Sequence, residues 1–245
     1  MKTKIVTFIM LIFIALQSFS QNQTVTELEK KLLSNLKQEI TDIQLKKLPF
    51  KDIAFAPDGH WLIIFADFGY SYSYIGSALS NKLNELNKAE TLISEVEIIS
   101  DNKWIIITEN DVYANNLANT FANALTKIKK SGKKVNSASY MSDDKWILLY
   151  GKNAFACSKN NNSKMLEKLK TINSKAGNIT KATLTHNNGW LLQYGKQGYS
   201  FQSLPADATL SLKKIINNNQ TINFISTFKD KWIIVYNSTE FECNF

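Results

Sequence analysis

Five short apolar runs, each beginning with tryptophan, decide the fold of this chain: Trp61–Phe65 (WLIIF), Trp104–Thr108 (WIIIT), Trp146–Tyr150 (WILLY), Trp190–Tyr194 (WLLQY) and Trp232–Tyr236 (WIIVY). They hold all five tryptophans of the 245-residue sequence, and successive tryptophans lie 42 to 44 residues apart. A fixed period of this length is typical of repeat architectures, in which each repeat is one supersecondary unit. The sequence therefore predicts one domain made of five units.

Each repeat predicts three strands followed by a helix. Turn-forming Asp, Asn or Gly residues precede each tryptophan, and an alternating strand precedes the turn. The tryptophan runs do not alternate, which is typical of strands covered on both faces. An aromatic residue nine positions after each tryptophan marks a third strand: Tyr70, Tyr113, Phe155, Tyr199 and Phe241. Apolar spacings of three and four then predict helices over Ser77–Asn87, Asn116–Lys130, Ser163–Asn173 and Asp207–Asn217.

The two ends of the chain complement each other. A further amphipathic helix over Thr24–Gln38 precedes the first unit, whereas the chain stops at Phe245, before any helix of the last unit. We expect the N-terminal helix to complete the last unit, because the WIIVY strand would otherwise expose an apolar face. The predicted fold class is an α/β repeat protein, a closed five-fold α/β propeller of strand-strand-helix-strand units. A curved open array and helix-free blades of four strands are the alternatives.

The first twenty residues predict an export signal. Lys2 and Lys4 precede the apolar run Ile5–Leu16, and small residues lead to a cleavage site near Ser20/Gln21. The run is too short to span a bilayer as a stable helix. We therefore expect a signal peptide over 1–20, a single domain over 21–245, a secreted or periplasmic location and no transmembrane anchor.

The formal charge of +8 is due to lysine alone, since the 29 basic residues include no arginine. Bidentate recognition of phosphates and guanine edges is mostly performed by guanidinium groups. The composition therefore argues against specific binding of nucleic acid. Two explanations of the charge remain open, an AT-rich coding bias and an acidic partner.

Two repeats carry a resemblance to a known family. The segments 139–155 (SYMSDDKWILLYGKNAF) and 183–200 (TLTHNNGWLLQYGKQGYS) resemble the secreted bacterial WD40-like tandem-repeat proteins, with their Gly-Trp-apolar-apolar-x-Tyr-Gly-x-x-Gly-Tyr signature. The resemblance covers most of 41–245 and is weakest in the second unit, where TENDVY replaces the Tyr-Gly pattern. It implies export and tandem repeats, and no established chemistry. The element order is also similar to the pentein α/β propellers of deiminases and amidinotransferases, which is a similarity of fold alone.

The two cysteines allow three interpretations. Cys157 and Cys243 each lie eleven residues after the tryptophan of their unit. They can be buried apolar residues, a disulfide, or a reactive thiol. The pentein similarity implies one form of the last interpretation, a Cys-dependent hydrolase or transferase with Cys243 as nucleophile and His186 and Glu242 as partners. The local sequence TEFECNF contains no pentein motif.

No cofactor and no metal site is expected. His60 and His186 stand at different offsets from their tryptophans, and the sequence contains no phosphate-binding loop or zinc-ligand spacing. Acidic residues recur in the predicted turns, at Asp101, Asp143, Asp144 and Asp230. Turn chemistry explains them, and calcium binding is the alternative.

The tyrosines Tyr70, Tyr72, Tyr74, Tyr113 and Tyr199 are the ligand-binding candidates, because a phenol ring offers an apolar face and a polar edge. Packing between units is the alternative for each. The predicted function is a secreted, non-catalytic repeat domain that binds a ligand, an exported protein or a surface polysaccharide. The Cys243 enzyme and a structural module without a dedicated site are the alternatives.

Overall fold

The computed structural model describes residues 26–175, 177–185, 189–195 and 197–245. The predicted signal segment 1–20 lies outside these residues, so export remains a prediction. Within the described ranges the chain forms five consecutive units, each with a three-stranded antiparallel sheet, and five helices accompany them.

Strands adjacent in the chain are adjacent in each sheet. The strands are β1 Phe50–Phe55, β2 Trp61–Phe65, β3 Gly69–Tyr72, β4 Ile93–Ser100, β5 Lys103–Thr108, β6 Val112–Asn115, β7 Val135–Tyr140, β8 Trp146–Tyr150, β9 Ala154–Cys157, β10 Ile179–Thr185, β11 Gly189–Tyr194, β12 Gly198–Gln202, β13 Ile222–Phe228, β14 Lys231–Tyr236 and β15 Glu240–Cys243. The helices are α1 over 26–45, α2 Ser77–Lys88, α3 Asn119–Lys130, α4 Ser163–Ser174 and α5 Ala206–Asn217.

The tryptophan strand is the middle strand of every sheet and is buried on both faces, as its sequence predicts. In β5, Trp104 and Ile106 pack into the cluster that contains α2. Ile105 and Ile107 point the other way, into the cluster that contains α3. Because successive side chains of a strand point to opposite faces, one run of apolar residues supplies two separate cores.

Each of four core clusters holds one helix between two successive sheets. Helix α2 places Leu79, Leu83 and Leu86 between the sheets of units 1 and 2. Helices α3, α4 and α5 occupy the corresponding positions between units 2 and 3, 3 and 4, and 4 and 5. The helix that follows a sheet therefore covers that sheet and the next one.

The fifth cluster places α1 between the last unit and the first. Leu36 and Ile40 of α1 pack with Ile63 of β2 and Ile233 of β14. The indole Nε1 of Trp61 donates to the carbonyl oxygen of Leu32 in α1 over 2.9 Å. Helix α1 thus takes the same position relative to unit 1 that α2 takes relative to unit 2, as its sequence predicts.

The first strand of each unit contacts the first strands of its neighbours. Strand β1 contacts β4 and β13, and β7 contacts β4 and β10, while β10 also contacts β13. No backbone ladder joins two of the five described sheets. In addition to side-chain contacts, the Phe50 N–H donates to the Ser238 carbonyl oxygen over 2.7 Å, which joins the first unit to the last.

Two helices, α3 and α5, begin at residues other than the predicted ones, whereas α4 begins at Ser163 as predicted. Helix α3 begins at Asn119 instead of Asn116, because Asn116 has a positive φ of 56° and the Ala118 backbone is extended, with φ −57° and ψ 145°. The side chain of Asn162 caps α4 by accepting from two backbone amides. Helix α5 begins after Pro205, which leaves Asp207 inside its first turn. None of the helices in the described ranges has the length and apolar character that crossing a bilayer requires.

Candidate functional site

The first strands carry two layers of equivalent side chains where they face one another. In each first strand, one residue pairs with the tryptophan of the second strand. The side chains of the first layer come three residues before that paired residue, and those of the second layer come one residue before it. The first layer is Asp52, Glu95, Ser137, Lys181 and Phe224, and the second is Ala54, Glu97, Ser139, Thr183 and Ser226. Polar residues therefore meet at the centre of the five units, which we call the axial cluster.

An ion-pair triad occupies the first layer. The Lys181 Nζ lies 2.9 Å from Asp52 Oδ1 and 3.8 Å from Glu95 Oε2, and the three side chains are almost completely withdrawn from solvent. It also lies 5.4 Å from the centre of the Phe224 ring. Burial by itself would lower the pKa of Lys181, but Asp52 and Glu95 hold that pKa above its usual value. Lys181 is therefore a fixed positive charge that links β10 to β1 and β4.

The same carboxylates bind backbone amides of the next unit. The Val96 N–H donates to Asp52 Oδ2 over 2.8 Å, and the Ala138 N–H donates to Glu95 Oε1 over 3.1 Å. The Leu184 N–H donates in the same way to Ser139 Oγ over 3.0 Å. Side-chain oxygens thus satisfy backbone donors that no ladder reaches, which an apolar side chain could not do.

Two carboxyl groups of the cluster are hard to ionise. Burial raises the pKa of Glu95 to about 7, although Lys181 opposes the change. Burial raises the pKa of Glu97 to about 8, and the nearby Glu95 and Asp52 charges add to the effect. The Tyr140 N–H donates to Glu97 Oε1 over 3.4 Å, a long hydrogen bond that compensates little of the cost. Glu97 is therefore the least compensated charge of the cluster.

Two cavities follow the axial cluster. The inner cavity, of about 70 Å³, is bordered by the ion-pair triad, and the outer cavity, of about 100 Å³, lies where the first strands end. Phe55, Glu97, Leu184 and Thr227 border both, so the cavities are adjacent. Each has room for water molecules or a small group.

The sequence analysis missed this cluster, although a signal exists. Asp52, Glu95, Ser137 and Lys181 each stand nine residues before the tryptophan of their unit. A single strand with alternating polar residues is usually half-exposed, so one repeat gives no hint of a buried charge. Only the repeated offset, read across units, indicates that the polar positions converge.

Tyr70 and Tyr72 lie on the edge strand β3, and Tyr74 follows two residues after it. Tyr72 and Tyr74 are 40% and 51% exposed, and Phe68 on the same segment is 39% exposed. The rings of Tyr70 and Tyr72 are stacked, with centroids 6.2 Å apart and planes 7° apart. The Tyr70 hydroxyl donates to Asn84 Oδ1 of α2 over 2.6 Å. We call Phe68, Tyr70, Tyr72 and Tyr74 the aromatic strip.

Tyr113 and Tyr199 have different surroundings. The Lys82 Nζ lies 3.8 Å from the centre of the Tyr113 ring, which packs against the cluster of α2. The Tyr199 hydroxyl donates to the Ile222 carbonyl oxygen over 3.3 Å, and burial raises the pKa of this hydroxyl to about 12. Tyr199 also borders a cleft of about 600 Å³ beside Gln193. Both rings therefore pack against neighbouring residues, and a binding role for Tyr113 and Tyr199 stays a prediction.

The cysteines lie away from the axial cluster. Cys157 and Cys243 are free thiols on the third strands β9 and β15, in two different core clusters. Burial raises the pKa of both thiols, which disfavours the nucleophilic thiolate. Glu242 pairs with Lys214, whose Nζ lies 3.2 Å from Glu242 Oε1. His186, the predicted third partner, lies outside the described residues.

The acidic turn residues make hydrogen bonds and ion pairs within the protein. Asp143 Oδ2 lies 2.7 Å from Lys145 Nζ, and Asp144 Oδ1 accepts from the Tyr140 hydroxyl over 2.6 Å. Among the described residues, no group of three or more His, Cys, Asp or Glu side chains could hold a metal ion.

Comparisons with known proteins give no family for the chain. No protein-family model matches it, and neither does any curated protein. A solved structure described as YCF48 bound to D1 peptide is similar at 6% sequence identity and a TM-score of 0.34, over 80% of this chain. This chain spans 63% of the length of that one. A similarity this distant decides neither fold nor function.

Proposed function

We propose that the five units close into a five-fold α/β propeller, in an exported protein that binds its partner without catalysis. Closure is supported by α1, which packs between β2 of the first unit and β14 of the last. An ion pair between Lys229 and Glu29 joins the turn after β13 to the same helix. The stacked rings of Phe55 and Phe228, with centroids 5.8 Å apart, connect β1 to β13.

The aromatic strip is the proposed binding surface. The seven-residue segment 68–74, which contains the edge strand β3, has three large side chains with more than a third of their surface exposed: Phe68, Tyr72 and Tyr74. Exposing such rings together has no benefit for the fold, whereas a contiguous aromatic surface is typical of a binding site. This concentration of exposed rings is the observation that carries the proposal.

The partner that suits the strip best is a polysaccharide. Sugar rings pack on the faces of phenol rings, and their hydroxyl groups need polar neighbours. The exposed side chain of Asn84 adjoins the Tyr70 hydroxyl, and His60 lies beside Tyr74 with ring centroids 5.2 Å apart. The strip thus offers flat apolar faces next to hydrogen-bonding groups.

A glycan array probed with residues 21–245 tests this proposal. We expect saturable binding of a polysaccharide, weakened at least tenfold in the double variant Tyr72→Ala/Tyr74→Ala. Tyr72→Phe retains the ring and should retain binding, and Leu210→Ala, which removes an exposed side chain on α5, should change nothing.

Two results would overturn it. Equal glycan binding by the double alanine variant would exclude the strip as the site. Binding to a library of extended peptides, with no glycan bound, would instead indicate a protein partner that pairs with the free edge of β3.

A further inference from the structure

The outer axial cavity is lined by apolar side chains, by hydroxyl-bearing side chains and by the carboxyl group of Glu97. Its walls include Phe55, Ile98, Leu184 and Phe228, which come from four different units. Glu97 borders the cavity at the side that adjoins the inner one. A small cavity that combines apolar side chains with a carboxyl group selects its ligand by both shape and charge.

The cavity is open to solvent at one end. Pro57 and Ser142, which border it where the first strands turn into the second strands, are exposed. At its other end it adjoins the inner cavity, whose lining includes Lys181 and the buried Asp52, joined as an ion pair. A small group can therefore enter from the turn side and reach Glu97 without breaking that ion pair.

Glu97 lacks a cationic partner. Lys181 is held by Asp52 and Glu95, and within the described residues no Lys or His nitrogen lies within 4.0 Å of a Glu97 oxygen. The axial cluster thus contains three carboxyl groups and one ammonium group. Glu97 is half-buried, and a carboxylate withdrawn from water without a cation beside it is costly, so a cation placed next to it removes much of that cost.

We propose that the outer axial cavity binds a primary alkylammonium group, with the nitrogen at Glu97 and the carbon chain along the apolar walls. An ammonium group has three donors, of which one goes to Glu97. The hydroxyl groups of Thr183, Ser226 and Thr227 border the inner cavity and are suitable acceptors for the others. A free amine and a lysine side chain share this chemistry, because both join an unbranched chain to an ammonium group.

The same residues disfavour other small ligands. An anion would meet Glu97 and Glu95, and a neutral alcohol would leave the Glu97 charge uncompensated. A bare cation would gain nothing from the walls formed by Phe55 and Phe228. The combination of apolar walls and an acidic end therefore specifies a ligand with both features.

Titration calorimetry at pH 9 on residues 21–245 tests the site, with n-butylamine hydrochloride as the probe and n-butanol as its neutral counterpart. We expect saturable binding of n-butylammonium and none of n-butanol. In Glu97→Gln the affinity should fall at least tenfold, because one charge-assisted hydrogen bond is lost. Glu109→Gln, at an exposed position, is the matched control and should bind as the parent does.

Further probes separate the two sources of the ligand and keep the proposal falsifiable. Nα-acetyl-lysine methylamide that binds at least as tightly as n-butylamine indicates a lysine side chain, and tighter binding of n-butylamine indicates a free amine. Unchanged affinity in a folded Glu97→Gln variant would overturn the proposal. So would equal binding of n-butanol, or no binding by the folded parent. Glycan binding by the aromatic strip is a separate measurement, so either proposal can fail alone.

Discussion

At the scale of single residues, Glu97 lowers the stability of the fold when it is ionised, and the same carboxylate can bind a cation. Its carboxyl group borders a cavity, accepts a long hydrogen bond from the Tyr140 N–H, and has the Ser139 hydroxyl as a second donor that only partly offsets the effect of burial on its pKa. Its neighbour Glu95 has the Ala138 N–H and the Ser137 hydroxyl as donors and Lys181 at 3.8 Å. Two alternate positions of strand β4 thus carry one carboxyl group with a cationic partner and one without.

This difference predicts how stability depends on pH. An unfolded glutamate titrates near pH 4.5, whereas the pKa of folded Glu97 is about 8. Between these values the folded chain keeps a proton that the unfolded chain has released, so the free energy of unfolding falls as the pH rises. Glu95 changes stability in the same direction, and Lys181 stays charged throughout.

Glu97→Gln should remove the part of this loss that is due to Glu97. Glutamine resembles the protonated acid, so we expect parent-like stability at pH 5 and a gain of about 1–3 kcal/mol at pH 9, the cost of an unsatisfied buried group. Urea unfolding of the parent, Glu97→Gln and Glu109→Gln at both pH values measures it. Equal loss of stability at both values would show instead that the carboxylate is needed as an acceptor.

At the scale of helices and strands, α1 is the element that the repeat pattern places most specifically. Its Leu36 is fully buried, as are Leu83 of α2 and Leu169 of α4. Each of these leucines packs in a cluster between two sheets. Helix α1 should therefore contribute to the fold as much as an internal helix does.

Three matched substitutions test the equivalence of these helices. Leu36→Ala, Leu83→Ala and Leu169→Ala should each lower the free energy of unfolding by about 2–5 kcal/mol, because each removes the same buried atoms and leaves a cavity. Chemical denaturation of the three variants measures it. A cost below about 1 kcal/mol for Leu36→Ala alone would show that α1 is an appendage and does not complete the last unit.

The elements were predictable to the extent that their signals are local. The doubly buried strand around Trp104 and the leucine spacing of α2 both follow from short-range periodicity. The start of α3 did not, because Asn116 and Ala118 have non-helical backbone angles and the Ala118 N–H bonds the distant Tyr140 hydroxyl. The axial cluster was missed for the same reason, since Asp52 and Lys181 are 129 residues apart in the chain.

At the scale of the whole molecule, closure of the ring determines whether the last unit unfolds together with the others or before them. In an open array the last unit has one neighbour and can unfold before the others. In a ring every unit has two neighbours, so the last unit is as well supported as the third. The packing of Ile233 in β14 with α1 and β2 predicts the second behaviour.

Ile233→Ala and Leu148→Ala test closure, because both residues are fully buried in middle strands, one in unit 5 and one in unit 3. In a closed ring each variant should lose about 2–5 kcal/mol in one cooperative transition, with an unchanged dependence on urea concentration. Far-ultraviolet circular dichroism and tryptophan fluorescence should report the same midpoint. An early, separate transition in Ile233→Ala but not in Leu148→Ala would establish an open end at unit 5. Without closure, β1 would lack its contact with β13, and the axial cluster would be open on that side. The same measurement therefore also tests whether Glu97 lies in an enclosed cavity.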